Sequence, residues 1–178
     1  PCLSIETACS AALVACHSAL TALQLDECNR TLAAGVNLML SPVVAGRFAV
    51  AGMTSPQGAC QTFDLRANGY VRAEACCSVA LCTGNYASMK YSGSSVRQDG
   101  RSASLTAPNG AAQQGVLATA LTNAGTAIDA FVCNEAHGTG TALGDPIEVR
   151  SLVAAVLSSR ANALAVGGVK ANMGHAEP

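Results

Sequence analysis

The sequence predicts an α/β fold with largely buried sheets. Three observations support this prediction: strand-like and helix-like segments alternate along the 178 residues, half of the residues are hydrophobic, and only 12% are charged. This composition, with a net charge of −1, is typical of a packed core rather than of a disordered chain. Basic and acidic residues nearly balance and do not cluster, so we expect no nucleic-acid partner. No apolar run reaches the roughly 18 residues of a membrane span.

The first part of the chain, residues 1–89, predicts two helices and two strands. The first helix is apolar on nearly every face, which is typical of a buried helix. The second helix is followed by a long loop rich in Gly and Pro that reaches about residue 72. The predicted elements are a helix over 9–25, a strand over 31–40, a helix over 43–51 and a strand over 75–81.

The second part, residues 90–178, continues the alternation. Composition and pattern change between Leu81 and Lys90, so we place the boundary between two half-domains there. Asp145 and Pro146 predict a helix start with proline at the first helical position. The predicted elements are a strand over 90–96, an amphipathic helix over 110–124, a strand over 131–133, a helix over 145–157 and a strand over 163–169.

The nine cysteines are interpreted mainly as packing residues. Their number is odd, they form no CxxC pair, and most lie in apolar runs, which argues against a disulfide framework or a zinc site. Eight are therefore expected to be buried thiols in a reducing compartment. Cys9 is the exception, because it is predicted in the first turn of a helix, where free N–H groups and the helix dipole favour the nucleophilic thiolate.

Two of the three histidines lie in Gly-rich turns that follow predicted strands, where α/β proteins place their sites. These are His137, in the run EAHGTGT, and His175, in the run NMGH. Cys9 with these two imidazoles leaves three chemistries open: a Cys/His hydrolase, a metal site with all three as ligands, or carbon–carbon bond formation. In the last, the thiol holds an acyl group while two imidazoles stabilise an enolate. Thr139 and Thr141 alternate along an extended segment, so we expect both hydroxyls on one side, available to the amides of an extended ligand.

The three runs that carry these residues resemble the motifs of one family. ETACSAALVACHSAL resembles the nucleophile signature of β-ketoacyl synthase (ketosynthase) domains, close to the form found in type I polyketide synthases. EAHGTGTALGDPIEV and GGVKANMGHAEP are similar to the two histidine motifs of that family, in the same order. The resemblance extends over essentially the whole chain.

The resemblance implies a role for each matching residue in condensation with a malonyl-type extender, in polyketide or fatty-acid biosynthesis. Cys9 would accept an acyl chain from an acyl carrier protein, and His137 and His175 would assist decarboxylation and stabilise the enolate. The remaining matches are Lys170 and its partner Glu148, which support the histidines, and Thr139 and Thr141, which bind the phosphopantetheine arm.

The family fold is the layered α/β/α/β/α arrangement of thiolases, which we expect to be incomplete here at both ends. Residues 1–89 would be the latter part of the N-terminal half and residues 90–178 the first part of the C-terminal half. The resemblance also implies a homodimer, acyltransferase and other synthase domains as partners, no cofactor bound by the domain itself, and an intracellular location in cytoplasm or plastid. We expect the isolated chain to be inactive. A non-condensing homologue, either a malonyl decarboxylase or a chain-length partner subunit, stays open, as do the role of Arg97 and of the short connector at 82–92.

Overall fold

The computed structural model describes residues 2–84, 89–104 and 106–177, and its chain divides into two compact units. Unit 1 and unit 2 are not the sequence parts 1–89 and 90–178, because residues 41–72 belong with the later residues. The division into half-domains stays a prediction, and residues 85–88 at its boundary lie outside the described residues. Unit 1 consists of Pro1–Leu40, Ala73–Tyr91 and Ala176–Pro178, and unit 2 of Ser41–Arg72 and Ser92–His175.

The described residues of unit 1 form one helix and one antiparallel pair of strands. Helix α1 spans Ala11–Gln24, strand β1 Arg30–Asn37 and strand β2 Ala75–Cys82. The two strands pair along their whole length, and α1 packs against both. The predicted helix and both predicted strands are confirmed to within three residues at each end.

The expectation that α1 and its sheet are buried on all sides is wrong for the described structure. Of the helix residues only Ala11 and Leu23 are buried, whereas Leu13 is 71% exposed. A single two-stranded sheet offers a helix one face to pack on, so the opposite side of α1 stays in solvent. The apolar pattern of the helix therefore predicted more buried side chains than the packing of α1 in unit 1 produces.

The expectation of eight buried thiols is also wrong. All nine cysteines are free, and five of them are exposed. Cys76 and Cys77 lie on β2, five of whose eight residues are exposed. Cys60 in unit 2 is buried, with 3% exposure. The exposed cysteines are Cys2, Cys9, Cys76, Cys77 and Cys133.

Unit 2 contains a short parallel pair of strands, β3 (Cys133–Glu135) and β4 (Ala165–Gly167), and the helices α3 (Gly110–Ala124) and α4 (Gly144–Ala155). Strands β3 and β4 pair in parallel, with Cys133 opposite Ala165 and Glu135 opposite Gly167. Helices α3 and α4 pack together, and the Ser151 hydroxyl of α4 donates to the Gly110 carbonyl at the start of α3 (3.2 Å). The elements are α2 (Pro42–Val50), α3 (Gly110–Ala124), β3 (Cys133–Glu135), α4 (Gly144–Ala155), β4 (Ala165–Gly167) and α5 (Lys170–Met173), with 3₁₀ turns at Ile128–Ala130 and Leu157–Ser159.

The strand predicted over residues 90–96 is wrong. The backbone there lies against the end of α3: a Cβ on Gly93 would come within 2.5 Å of the Ala124 nitrogen, and the Asn123 side-chain amide donates to the Ser94 carbonyl at 2.9 Å. The segment is therefore bound to a helix end, and a glycine is required where the two backbones meet.

Two predicted starts of elements in unit 2 are displaced. The strand predicted over 131–133 instead begins at Cys133, because the Phe131 carbonyl accepts a hydrogen bond from the Arg160 guanidinium (2.7 Å) rather than from a neighbouring strand. The helix predicted from Asp145 begins at Gly144, and its N-cap residue Leu143 provides no side-chain cap. Its Pro146 is the third helical residue, and Asp145 binds backbone elsewhere.

The parallel pairing determines where the two histidine motifs lie. Parallel strands end at the same edge of a sheet, and the chain after each strand continues from that edge. His137 follows β3, and Lys170 and His175 follow β4. Among the described residues, no helix is both long and apolar enough to cross a membrane.

Candidate active site

The HGTGT loop (residues 137–141) follows β3 and needs glycine at two positions. Gly138 and Gly140 have φ angles of 51° and 76°, which side chains other than glycine rarely adopt. A Cβ on Gly138 would lie 2.6 Å from the methyl group of Thr62, and one on Gly140 would lie 2.6 Å from the backbone nitrogen of Gln61. Both glycines therefore permit close packing on the segment that contains Gln61 and Thr62.

A buried carboxylate fixes the far end of the HGTGT loop. Asp145 is 4% exposed, and its Oδ1 accepts hydrogen bonds from the backbone N–H of Gly140 (3.1 Å) and of Thr141 (3.3 Å). Its Oδ2 accepts from the backbone N–H of Phe63 at 2.7 Å. Three amide donors compensate the buried charge. Through the same hydrogen bonds, Asp145 joins two loops to α4.

Glu148, one turn further along α4, fixes the near end of the same loop. Its two oxygens accept from the backbone N–H groups of His137 (2.6 Å) and Gly138 (2.9 Å). The carboxylate thus holds the backbone of the histidine that it was expected to support. Among the described residues Lys170 forms no salt bridge with it.

The long loop after α2 connects both histidine motifs. The Thr62 hydroxyl donates to the Gly138 carbonyl at 2.5 Å, and the Gly69 N–H donates to the Gly140 carbonyl at 3.0 Å. The Val71 carbonyl accepts from the His175 N–H at 2.8 Å. The sequence interpretation treated this segment only as a connection. Its length was the available signal, because loops of more than about 15 residues without regular structure are usually functional.

The rings of His137 and His175 lie side by side in unit 2. Their centroids are 5.4 Å apart and their planes are nearly perpendicular, at 88°. The ring of Tyr70 also meets His175 edge to face, at 5.2 Å. His175 and Tyr70 are buried, whereas His137 keeps an exposed edge. One imidazole is thus held inside the unit and the other opens to the surface.

His137 has a pKa below its usual value. Desolvation lowers this pKa most, and the positive charge of Lys170 lowers it further, against the opposing effect of the carboxylates Glu148 and Asp145. A histidine with a lowered pKa is neutral at pH 7. Its ring then has one nitrogen that donates and one that accepts a hydrogen bond.

The two threonine hydroxyls of the loop face each other. Thr139 Oγ1 and Thr141 Oγ1 are 3.3 Å apart, so both lie on the same side of the segment. Thr139 is buried, and Thr141 Oγ1 also accepts from the Gly144 N–H at 3.1 Å. Through Thr141, the threonine pair is therefore hydrogen-bonded to the start of α4.

Cys9 belongs to unit 1, where it is exposed. It precedes α1, which begins at Ala11, so the expectation of a cysteine within the first helical turn is wrong. The Ser10 hydroxyl donates to the Thr7 carbonyl (3.0 Å) rather than capping the helix, and Ala8 has a positive φ of 53°. A turn over residues 7–10 thus replaces the first turn of the helix and presents the thiol to solvent.

Unit 2 therefore brings together six of the seven residues that the sequence singled out, and unit 1 carries the seventh, Cys9. Asp145, Thr62 and the Val71 carbonyl are additions that the sequence interpretation did not make. The six residues in unit 2 are Thr139, Thr141, His137, Glu148, Lys170 and His175.

Two models of one protein family together match the whole chain. The model described as the N-terminal domain of beta-ketoacyl synthase matches residues 1–87, and the model described as the C-terminal domain matches residues 86–178. Among curated proteins, the chain is 45% identical over 186 aligned positions to one phenolphthiocerol/phthiocerol polyketide synthase subunit of Mycobacterium tuberculosis. It is 46% identical to another phenolphthiocerol/phthiocerol polyketide synthase subunit of the same organism.

Solved structures agree with the family match. The ketosynthase from module 6 of the bacillaene synthase of Bacillus subtilis 168 superposes with a TM-score of 0.91 at 35% identity, over 97% of this chain. An oxazolomycin ketosynthase domain of Streptomyces albus JA3453 gives a TM-score of 0.91 at 32% identity, over 99% of this chain. The chain spans 32% of each of these structures, and 10% and 8% of the two mycobacterial proteins.

These matches confirm the predicted fold class, since the neighbours at this similarity are ketosynthases with the thiolase-like α/β fold. The chain belongs to the β-ketoacyl synthase family, whose N-terminal and C-terminal domain models together match its whole length.

Proposed function

We propose that the complete protein carrying this chain is a polyketide synthase ketosynthase that elongates an acyl chain by decarboxylative Claisen condensation. The observation that carries the proposal is the pair of perpendicular imidazoles 5.4 Å apart, one of which has a lowered pKa. Two imidazoles can donate hydrogen bonds to a single developing oxyanion, an arrangement that a hydrolase with one activating histidine does not require. The similarity to polyketide synthases supports this pathway over fatty-acid synthesis.

The first step is acyl transfer to Cys9. The Cys9 thiolate attacks the thioester of an acyl group carried on the phosphopantetheine arm of an acyl carrier protein. The new thioester forms on Cys9, and the arm leaves as a thiol after it takes the proton that Cys9 released. Cys9 is exposed and is flanked by Ala8 and Ser10, whose small side chains leave room for an acyl chain. The Thr139 and Thr141 hydroxyls would bind the amides of the arm.

The second step is decarboxylation of a malonyl-type extender on the carrier protein. His137 and His175 would donate hydrogen bonds to the thioester carbonyl oxygen while the carboxylate leaves as CO₂, which gives an enolate. A neutral imidazole donates through its single N–H group, and the fixed, partly desolvated position of His137 strengthens its bond to the developing charge.

The third step joins the two chains. The enolate carbon attacks the thioester carbonyl on Cys9, the carbon–sulfur bond breaks, and Cys9 leaves as a thiolate that takes up a proton. The product is a β-ketoacyl chain two carbons longer on the carrier protein. Lys170 helps to keep His137 neutral, and Glu148 and Asp145 hold the backbone of the loop on which His137 lies.

The proposal includes the partners that this chemistry needs. The acyl carrier protein supplies both substrates, so the domain itself binds no cofactor. A homodimer, and acyltransferase and other synthase domains, complete the assembly. We also propose that the isolated 178-residue chain does not condense substrates.

Measuring CO₂ release and β-ketoacyl product separately in the complete protein tests this function. Cys9→Ala should abolish product and leave measurable CO₂ release from malonyl carrier protein, whereas His137→Ala with His175→Ala should abolish both. Cys76→Ala, which removes another exposed thiol, and His17→Ala serve as controls and should retain both activities. Decarboxylation without any product in the unaltered protein would instead indicate a non-condensing homologue, and a Cys9→Ala variant that still condenses would overturn the proposal.

A further inference from the structure

Glu135 connects the strand before His137 to the segment before Lys170. It is the last residue of β3, and its Oε1 accepts a hydrogen bond from the Val169 N–H at 2.7 Å. Val169 directly precedes Lys170. The family resemblance assigned no role to Glu135, and the proposed mechanism does not use it.

The opposite strand leaves space for this carboxylate. Glu135 stands opposite Gly167 on β4, and a Cβ on Gly167 would collide with Glu135 Oε2. The backbone pairing continues past the strand end, where the Ala136 N–H donates to the Gly167 carbonyl at 3.0 Å. The missing side chain at residue 167 and the hydrogen bond to Val169 are two separate features that favour the same position of the carboxylate.

We infer that Glu135 is a positioning residue, whose carboxylate holds the Val169 amide and thereby fixes Lys170 with respect to His137. The inference rests on the proposed function, because it assigns Glu135 to the decarboxylation half of that reaction. An amide held by a charged acceptor forms a stronger bond than one held by a neutral acceptor. Without it, the segment that starts α5, a helix of only one turn, would be tied to β3 only through the pairing at Gly167, two residues before Val169.

The consequence concerns the charge that faces His137. Lys170 favours the neutral imidazole, and Glu148 and Asp145 favour the protonated one; the ring of His175 lies beside it. If Lys170 moves away while Glu148 and Asp145 stay, the pKa of His137 rises. A protonated His137 still donates hydrogen bonds, but its positive charge also stabilises the malonyl carboxylate, the group that must be lost as CO₂, and so opposes decarboxylation.

The test uses two variants that reach the same carboxylate from opposite strands. Glu135→Ala removes it, and Gly167→Ala displaces it. In the complete protein both substitutions should raise the pKa of His137, which NMR of histidine-labelled protein measures. Both should also slow CO₂ release on the order of tenfold. This is less than the roughly 100-fold lost when a direct oxyanion donor is removed. Acyl transfer to Cys9, measured as thioester formation, should change less than twofold.

A conservative variant of Glu135 and a matched glycine variant distinguish an effect on the position of Lys170 from a general loss of folding. Glu135→Gln keeps an acceptor oxygen and should retain most of the decarboxylation rate. Gly46→Ala adds a methyl group in α2 where nothing lies within 4 Å and should leave every readout unchanged. A normal His137 titration and normal CO₂ release in Glu135→Ala would overturn the inference, as would an equal loss of acyl transfer and decarboxylation.

The two proposals fail in different ways. If the unaltered protein releases no CO₂, the proposed function fails, whereas the NMR titration of His137 still decides whether Glu135 positions Lys170. If Glu135→Ala does not fold, Gly167→Ala and Glu135→Gln decide it: an unshifted His137 in Gly167→Ala counts against the inference.

Discussion

The HGTGT loop in unit 2 and the Cys9 turn in unit 1 carry the two kinds of group that the chemistry needs, but they are held in different ways. Carboxylates of α4 and backbone groups distant in sequence fix the HGTGT loop: Asp145 reaches Phe63, 82 positions away. The Cys9 turn is held by neighbours within three residues, such as Ser10 to Thr7 and the Ala8 N–H to Glu6 (2.9 Å). All of these local bonds are exposed.

The HGTGT loop and the Cys9 turn therefore depend on the fold to different degrees. The HGTGT loop is held by hydrogen bonds to two carboxylates, of which the bond from Gly140 to Asp145 is buried and those to Glu148 are exposed or part-buried; a charged acceptor strengthens each of them. The shape of the Cys9 turn depends on four adjacent residues, 7–10, and on the positive φ of Ala8. We therefore expect substitutions around the loop to act on stability and on the pKa of His137, and substitution of Cys9 to act on chemistry alone.

The largest expected effect on stability is that of Asp145→Ala. It leaves three backbone N–H groups without their acceptor, two of them in the HGTGT loop. We expect the free energy of unfolding to fall by about 3 kcal/mol or more, since each unsatisfied buried donor costs roughly 1–3 kcal/mol. Chemical denaturation checks this against Asp99→Ala, an exposed carboxylate that should change stability by less than about 0.5 kcal/mol. Equal effects of the two variants would contradict the comparison.

An intermediate effect concerns the protonation of His137. Because its pKa is lowered in the folded protein, the unfolded chain binds more protons between that pKa and the usual value of about 6.5. The free energy of unfolding should therefore fall as the pH drops through this window and level off below the folded pKa. Lys170→Gln should raise the pKa of His137 and reduce the fall, whereas Lys90→Gln should not. NMR titration and unfolding curves between about pH 4 and 8 measure both; a downward shift in Lys170→Gln would contradict the assignment.

The smallest effect on stability is that of Cys9→Ala, although the activity should be lost. Removing an exposed thiol should change the free energy of unfolding by less than about 0.5 kcal/mol. The matched substitution Cys60→Ala should cost on the order of 1 kcal/mol or more, because Cys60 is buried and its sulfur accepts from the Val71 N–H at 3.2 Å. If Cys9→Ala were the more destabilising of the two, the Cys9 turn would be a structural element rather than an exposed nucleophile.

Chemical labelling sharpens the same contrast between thiols. Iodoacetamide should modify Cys9 first in the complete protein and leave Cys60 protected. Cys16 should react slowly near pH 8, because burial and the neighbouring Cys77 raise its pKa, and a thiol with a raised pKa has less reactive thiolate. Faster labelling of Cys16 or Cys60 than of Cys9 would count against the role of Cys9.

Local pattern was sufficient where an element depends on its own residues. Helix α3 has the predicted bounds, because Asn109 caps its first turn through the N–H groups of Ala111 and Ala112, and Gly125 ends it with a φ of 59°. His137 likewise lies on the loop directly after β3, whereas the prediction for His175 is wrong in this respect, because helix α5 separates it from β4. Local pattern gave wrong strand predictions where the backbone contacts another part of the chain instead of a neighbouring strand. Residues 90–96 pack against the end of α3, and the Phe131 carbonyl is bound by Arg160.

Local patterns in the sequence predicted the α/β class and the order of the main helices and strands, because periodicity and turn residues are local properties; the resemblance to one family completed the set of seven residues proposed for chemistry. Only the tertiary structure decided what those residues touch: that Asp145 and Glu148 bind loop backbone, that the segment around Thr62 supports both histidine loops, and that Glu135 reaches Val169. Hydrogen bonds and charges act through space, and residues 34 or 82 positions apart become neighbours only when the strands and helices pack.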